Sequence, residues 1–207
     1  MLRRQAKRRA GITLIEMMVV VAILAILVAL AAPNLSELFI RNRLDTAANE
    51  FMTALNFARS EAIKRGVPVT VRRVSSTSKD WTQGWEIFVD INGNGSRDAA
   101  DPREELLLVG QQLVQPLTLR STQIVEAYVP FTASGRIALA IDDGPGTAGE
   151  RAEFMLCHGP SPSASGRSRS RAVLVNSPGR VRAGPDNNQN GLPENVYGQD
   201  MTRCDPL

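Results

Sequence analysis

Between residues 90 and 101 the chain reads DINGNGSRDAAD. It sets oxygen-bearing side chains at Asp90, Asn92 and Asn94, a turn residue at Gly95, and further carboxylates at Asp98 and Asp101. Oxygen donors at alternate positions, with a glycine for the sharp turn, are what a calcium loop requires, because calcium is a hard cation that collects oxygen ligands. The last ligand would be Asp101 rather than the longer, bidentate glutamate, and no flanking helix pair is evident. The segment DNNQNG at 186–191 repeats the spacing. Asn-Gly pairs also make tight hairpin turns without any ion, and that reading is preferred here. No cofactor is expected, and calcium is the one candidate ion.

Two other groups of residues could do chemistry. Arg167, Arg169, Arg171, Arg180 and Arg182 fall between residues 159 and 182 with no acid among them, in a stretch rich in Ser, Gly and Pro. Guanidinium groups form paired hydrogen bonds to phosphate oxygens, so such a run can hold a nucleic-acid backbone. No aromatic residues interleave with it, so base stacking is not indicated. A solvated loop is the competing reading. Cys157 and Cys204 can close one disulfide, which persists only outside the reducing cytosol; two free thiols are the alternative. His158 is the sole histidine. No Ser-His-Asp spacing, Cys-His pair or cluster of metal ligands appears, so an enzyme is not expected.

The remaining reactive residue is Glu16, a lone carboxylate near the start of an apolar run. Residues 1–11 hold five cations and no acid, and without them the chain has fewer Lys and Arg than its 21 acids. The basic pI therefore belongs to the leader and does not itself argue for nucleic-acid binding. Residues 12–32 are close to the roughly 20 needed to cross a bilayer as a helix. A secretory signal peptide with ALAA at 29–32 as its cleavage site is one reading. Against it stand the length of the apolar run, the cost of Glu16 in such a run, and a periodic pattern that continues beyond Pro33. A cut between Gly11 and Ile12 would instead remove the leader and create an amine four residues before Glu16. Glu16 could then pair with that amine or with a neighbouring subunit's, which fixes the offset between helices.

These residues, G-ITLIE followed by MMVVVAILAILVALAAP, resemble the type III signal of type IV prepilins and type II secretion pseudopilins. The resemblance implies a prepilin peptidase that cuts after Gly11 and methylates Ile12, and a Glu16 that guides docking into a growing filament. Ile12 stands where that family usually has phenylalanine.

Beyond the span, Leu35, Leu38, Phe39, Leu44, Ala48, Phe51, Leu55, Ala58, Ala62 and Ile63 recur at spacings of three and four, so one amphipathic helix is expected to continue to Gly66. Pro33 is expected to kink it. Short runs then follow: VPVTVRRV, WEIFVDI, ELLLVG, QIVEAYV, RIALAI, EFMLC and RAVLVN, punctuated by turn residues. One long helix and many strands predict an α+β fold, with the sheet packed on the helix. The combination of LNFARSEAIKRGVPVTV and DWTQGWEIFVDINGNG resembles the GspH/FimT family of minor pseudopilins and minor pilins, with Trp81 and Trp85 as packing residues. That resemblance implies a type IV pilin-like fold. Its parts would be a cleaved leader (1–11), a transmembrane and filament-core helix (12–33), its amphipathic continuation (34–66) and a β-rich periplasmic domain (67–207).

The implied partners are other pilins or pseudopilins, the prepilin peptidase and the bacterial inner membrane, in which the chain would be single-pass before entering a fibre that it initiates or caps. GRVR at 179–182 resembles an element of DNA-uptake members of the FimT branch. This implies Arg180 and Arg182 on double-stranded DNA as the alternative function.

Overall fold

The computed structural model describes residues 12–121, 125, 127–138, 151–159, 163–164, 167–195, 197–202 and 204. The leader and Gly11 lie outside them, as do the side chains of residues 30–34, 163–164 and 167–168. The chain divides into two compact units, residues 1–39 and 40–207.

A single helix, α1 (Leu14–Arg65), carries both kinds of apolar pattern. In the first unit Leu14, Ile15, Met17, Met18, Val19, Val20, Val21 and Ile23 are all half exposed or more. That is an apolar surface on every face, which water does not favour. The helix continues past position 33 without a break. Among the described residues no helix is long and apolar enough to cross a membrane, and the described side chains of the expected span stop at Ala29. From Leu44 onward the stripe turns inward. Leu44, Ala48, Phe51, Leu55, Ala58 and Ala62 are buried, joined by Ala47 and Ala54, whereas Leu35, Leu38, Phe39 and Ile63 stay exposed. The helix ends where Gly66, at φ +68°, returns its N–H to the Ala62 carbonyl, with Pro68 next in sequence.

Two antiparallel sheets follow. The first has the order β3-β2-β1-β5, from β1 (Val69–Arg73), β2 (Trp85–Val89), β3 (Leu106–Val109) and β5 (Tyr128–Phe131). The second has the order β10-β9-β6-β4, from β4 (Leu117–Ser121), β6 (Ala152–His158), β9 (Ser170–Val175) and β10 (Val181–Ala183). A small hairpin joins β7 (Ser163–Ala164) to β8 (Arg167–Ser168). The fold is α+β, as the alternation of the sequence runs predicts.

One core joins helix and sheets, and aromatic rings form its centre. Phe51 of α1 meets Trp85 of the first sheet and Phe154 of the second edge-on, both at 4.8 Å. Trp81 stands edge-on to Phe154 at 5.0 Å and lies 5.8 Å from Phe51. Trp81 and Trp85 are thus packing residues of the core, with the turn between them closed by Gly84 N–H to the Trp81 carbonyl. Gly84 sits at φ +98°, with Gly110 O where a side chain would be, so only glycine fits there. Strand β6 shows its period of two on both faces. Phe154 and Leu156 enter the main core, while Met155 and Cys157 face a second cluster with Cys204 and Met201.

Candidate functional site: the helix start, the arginine edge and the β2–β3 loop

At the start of α1, Thr13 Oγ1 accepts the Glu16 N–H at 3.3 Å, and Met17 N–H reaches the Thr13 carbonyl. Thr13 is therefore the N-cap and Glu16 the third helical residue, the Thr-x-x-Glu arrangement of a capping box. This places the Glu16 carboxylate in the first turn, where the helix dipole favours an anion. Ile12, directly before the cap, is 70% exposed. A chain beginning at Ile12 would present its amine on the same first turn as Glu16.

The described arginines of the run are held in different ways. Arg171 lies in β9, where its guanidinium Nε meets Asp45 of α1 at 2.5 Å. Arg169 is half-buried just before β9, and the side chain of Arg167 lies outside the described residues. Arg180 and Arg182 are different: both are exposed, at and beside the edge strand β10. The turn that presents them is closed by Gly179 N–H to the Asn176 carbonyl at 2.7 Å. Gly179 has φ +76°, and Gly135 O occupies the space of any side chain there. Arg59 of α1 clasps both turns, with Nε to the Gly135 carbonyl at 3.0 Å and an Nη to the Pro178 carbonyl at 3.1 Å. The position of Arg59 in ARSEAIKRG carries no sign of a partner 119 residues away.

Cys157 and Cys204 form a disulfide across 47 residues of sequence. It fastens the C-terminal segment over the outer face of β6. There Glu194, 3% exposed, accepts the Asn187 and Asn188 backbone N–H groups and the Asn187 amide. The DNNQNG loop turns on itself, with Asp186 accepting the Asn190 and Gly191 N–H groups.

The β2–β3 loop also turns on its own side chains. Asn92 Oδ1 accepts Asn94 N–H, Asn94 Oδ1 accepts Ser96 N–H, and Asp98 Oδ1 accepts Ala100 N–H. Asp101 is committed to Arg103, whose guanidinium and backbone hold its carboxyl down at about 2. At the helix end Glu61 is lowered by hydrogen bonds from Arg65 and Lys64, and Arg65 reaches Glu105 before β3 at 2.6 Å.

A long helix with an acid in its first turn and an apolar N-terminal half, packed further on against antiparallel sheets, defines the class of pilin-like subunits. The sequence pattern described as "Type II transport protein GspH" matches residues 47–179. That described as "Prokaryotic N-terminal methylation motif" matches residues 6–32. The chain belongs to the GspH family, whose members are structural pilins and not enzymes. The pilin-like protein PilA1 of Thermus thermophilus is 37% identical over 93 residues, a match covering 45% of this chain and 56% of the relative. Two crystal forms of the type IV minor pilin FimU of Pseudomonas aeruginosa are similar in structure. One is 27% identical with a TM-score of 0.49, over 70% of this chain and 90% of FimU. The other is 26% identical with a TM-score of 0.45, over 69% and 93%.

Proposed function

We propose that this chain is a minor pilin or pseudopilin subunit that is cut after Gly11, methylated at Ile12 and built into a type II secretion pseudopilus or type IV pilus, where it initiates or caps the fibre. The observation that carries this lies in the first unit: between Leu14 and Ala29 the described side chains are exposed and apolar on every face, apart from Glu16 in the capped first turn. Such a surface calls for lipid before assembly and for the helices of other pilins after it. The single-pass anchor is then the 12–33 segment, with the second unit in the periplasm. Glu16 pairs with the amine of a neighbouring subunit, because a carboxylate among apolar helices needs a cation. Exchange of Glu16→Ala tests this. The mutant is expected to be processed normally and to be missing from sheared fibres; its normal recovery there would overturn the docking role.

A second reading, capture of double-stranded DNA, is favoured by the exposed pair Arg180 and Arg182 on a sheet edge. The double change Arg180→Ala and Arg182→Ala should then abolish binding that weakens log-linearly with salt. No binding by the unaltered chain at low salt would leave the assembly role alone.

A further inference from the structure

The loop between β2 and β3 contains two buried carboxylates that the filament role does not use. Asp90 follows β2 and is fully buried. Its Oδ2 accepts the Thr70 hydroxyl at 2.7 Å and the Gly95 N–H at 3.0 Å, and its Oδ1 has no hydrogen-bond partner among the described residues. Glu104 precedes β3 and is 2% exposed. Its Oε2 accepts the Asp98 N–H at 2.6 Å, and its Oε1 likewise has no partner. Each carboxylate is thus tied through one oxygen to the backbone of the same loop, at Gly95 and at Asp98. Each keeps its other oxygen shut off from solvent.

Neighbouring cations do not relieve this. Arg103 spends its side-chain hydrogen bonds on Asp101. Arg72 donates to the Gly95 carbonyl and Ser96 Oγ. Among the described residues neither Asp90 nor Glu104 has a salt-bridge partner. A buried anionic oxygen without a donor or cation is costly, and metal coordination is one of the few remedies.

We propose that this loop binds a divalent cation of the calcium class, through Asp90 Oδ1 and Glu104 Oε1, with oxygens of the 92–98 segment completing the shell. Asn92 Oδ1 and Asn94 Oδ1 each accept one N–H and keep a second lone pair. Among the described residues no three His, Cys, Asp or Glu side chains converge as a metal-binding group, so the shell rests on two carboxylates and on amide and carbonyl oxygens. Amide and carbonyl oxygens in irregular array suit calcium, whereas magnesium demands a near-ideal octahedron. The set differs from the one expected from the spacing: Asp101 drops out to Arg103, and Glu104 enters. A bound ion would pin the ends of β2 and β3 together, beside the Arg65–Glu105 pair at the end of α1.

The test is a titration of the full chain in detergent micelles, first stripped with chelator, with calcium and in parallel with magnesium. Heat is one readout. Terbium luminescence sensitised by Tyr128, whose ring lies against Gly95, is the other. The expected result is saturable calcium binding with a dissociation constant on the order of 10⁻⁴–10⁻³ M, as in extracellular modules. Glu104→Gln and Asp90→Asn should each weaken it about tenfold or more, while Asp101→Asn should leave it unchanged. Asp90 also supports Thr70, so Glu104→Gln decides if the Asp90 variant does not fold. Absence of saturable binding up to about ten times that constant, or binding that Glu104→Gln retains, would overturn the proposal.

Discussion

Truncation of Phe51 to alanine should loosen the second unit at its centre. The ring is 1% exposed and stands edge-on to Trp85, Phe154 and Trp81, so it ties α1 to aromatic rings from both sheets and from the turn before β2. A buried Phe→Ala change costs about 3–5 kcal/mol. Three edge-on contacts, each worth ~0.5–1.5 kcal/mol beyond the buried area, place this site near the upper end, at about 4–5 kcal/mol. For a chain of this size the melting midpoint should fall by roughly 10–18 °C. Phe51→Leu keeps most of the volume and should cost about 1–2 kcal/mol. Phe39→Ala, on the same helix but 58% exposed, should stay within about 0.5 kcal/mol. Thermal unfolding in detergent, followed by near-ultraviolet circular dichroism of Trp81 and Trp85, measures all three. If Phe51→Ala costs no more than Phe39→Ala, then the aromatic centre does not hold the two sheets to the helix.

Reduction of the Cys157–Cys204 bridge, or its replacement by Cys157→Ser with Cys204→Ser, should cost about 4 kcal/mol, from the chain entropy of its 47-residue separation. Urea unfolding with and without reductant checks this, and an unchanged midpoint would contradict it. Asp101 should contribute acid-sensitive stability through Arg103. Its folded pKa, about 2, lies below the ordinary 3.8, so the contribution is full above pH ~4 and fades as pH falls towards about 2. The melting difference between the parent and Asp101→Asn should therefore be present at neutral pH and close over that window; a difference independent of pH would refute the pairing.

The parts most legible in the sequence are those where one pattern has one meaning. The stripe from Leu44 to Ala62 can bury only one face of a helix, and WEIFVDI and EFMLC can hardly be other than buried strands. Leu117–Ser121 escapes a reading of the sequence because LTLRS is a short alternation directly after Pro116, and its place depends on pairing with β6. Val181–Ala183 reads first for its arginine, because a three-residue edge strand exists only through its partner β9. RIALAI contributes an isolated bridge, Phe131 to Ile137, before the described residues break off at 138. The arginine run looks uniform in sequence, yet the register of β9 sets Arg171 against Asp45 while the next hairpin leaves Arg180 and Arg182 outside. Local spacing likewise nominates Asp101 for the calcium loop, whereas the fold gives Asp101 to Arg103 and turns Glu104 inward. In each case the deciding contact is distant in sequence or set by a turn, and composition carries no trace of it.

The claim that the first unit is a filament segment rests on its N-terminus, and intact-mass measurement of the chain recovered from sheared fibres tests it most directly. The account predicts a species that begins at Ile12, carries the mass of one added methyl group and is present in the fibre fraction. A full-length chain that retains residues 1–11, found in membranes and absent from fibres, would contradict it.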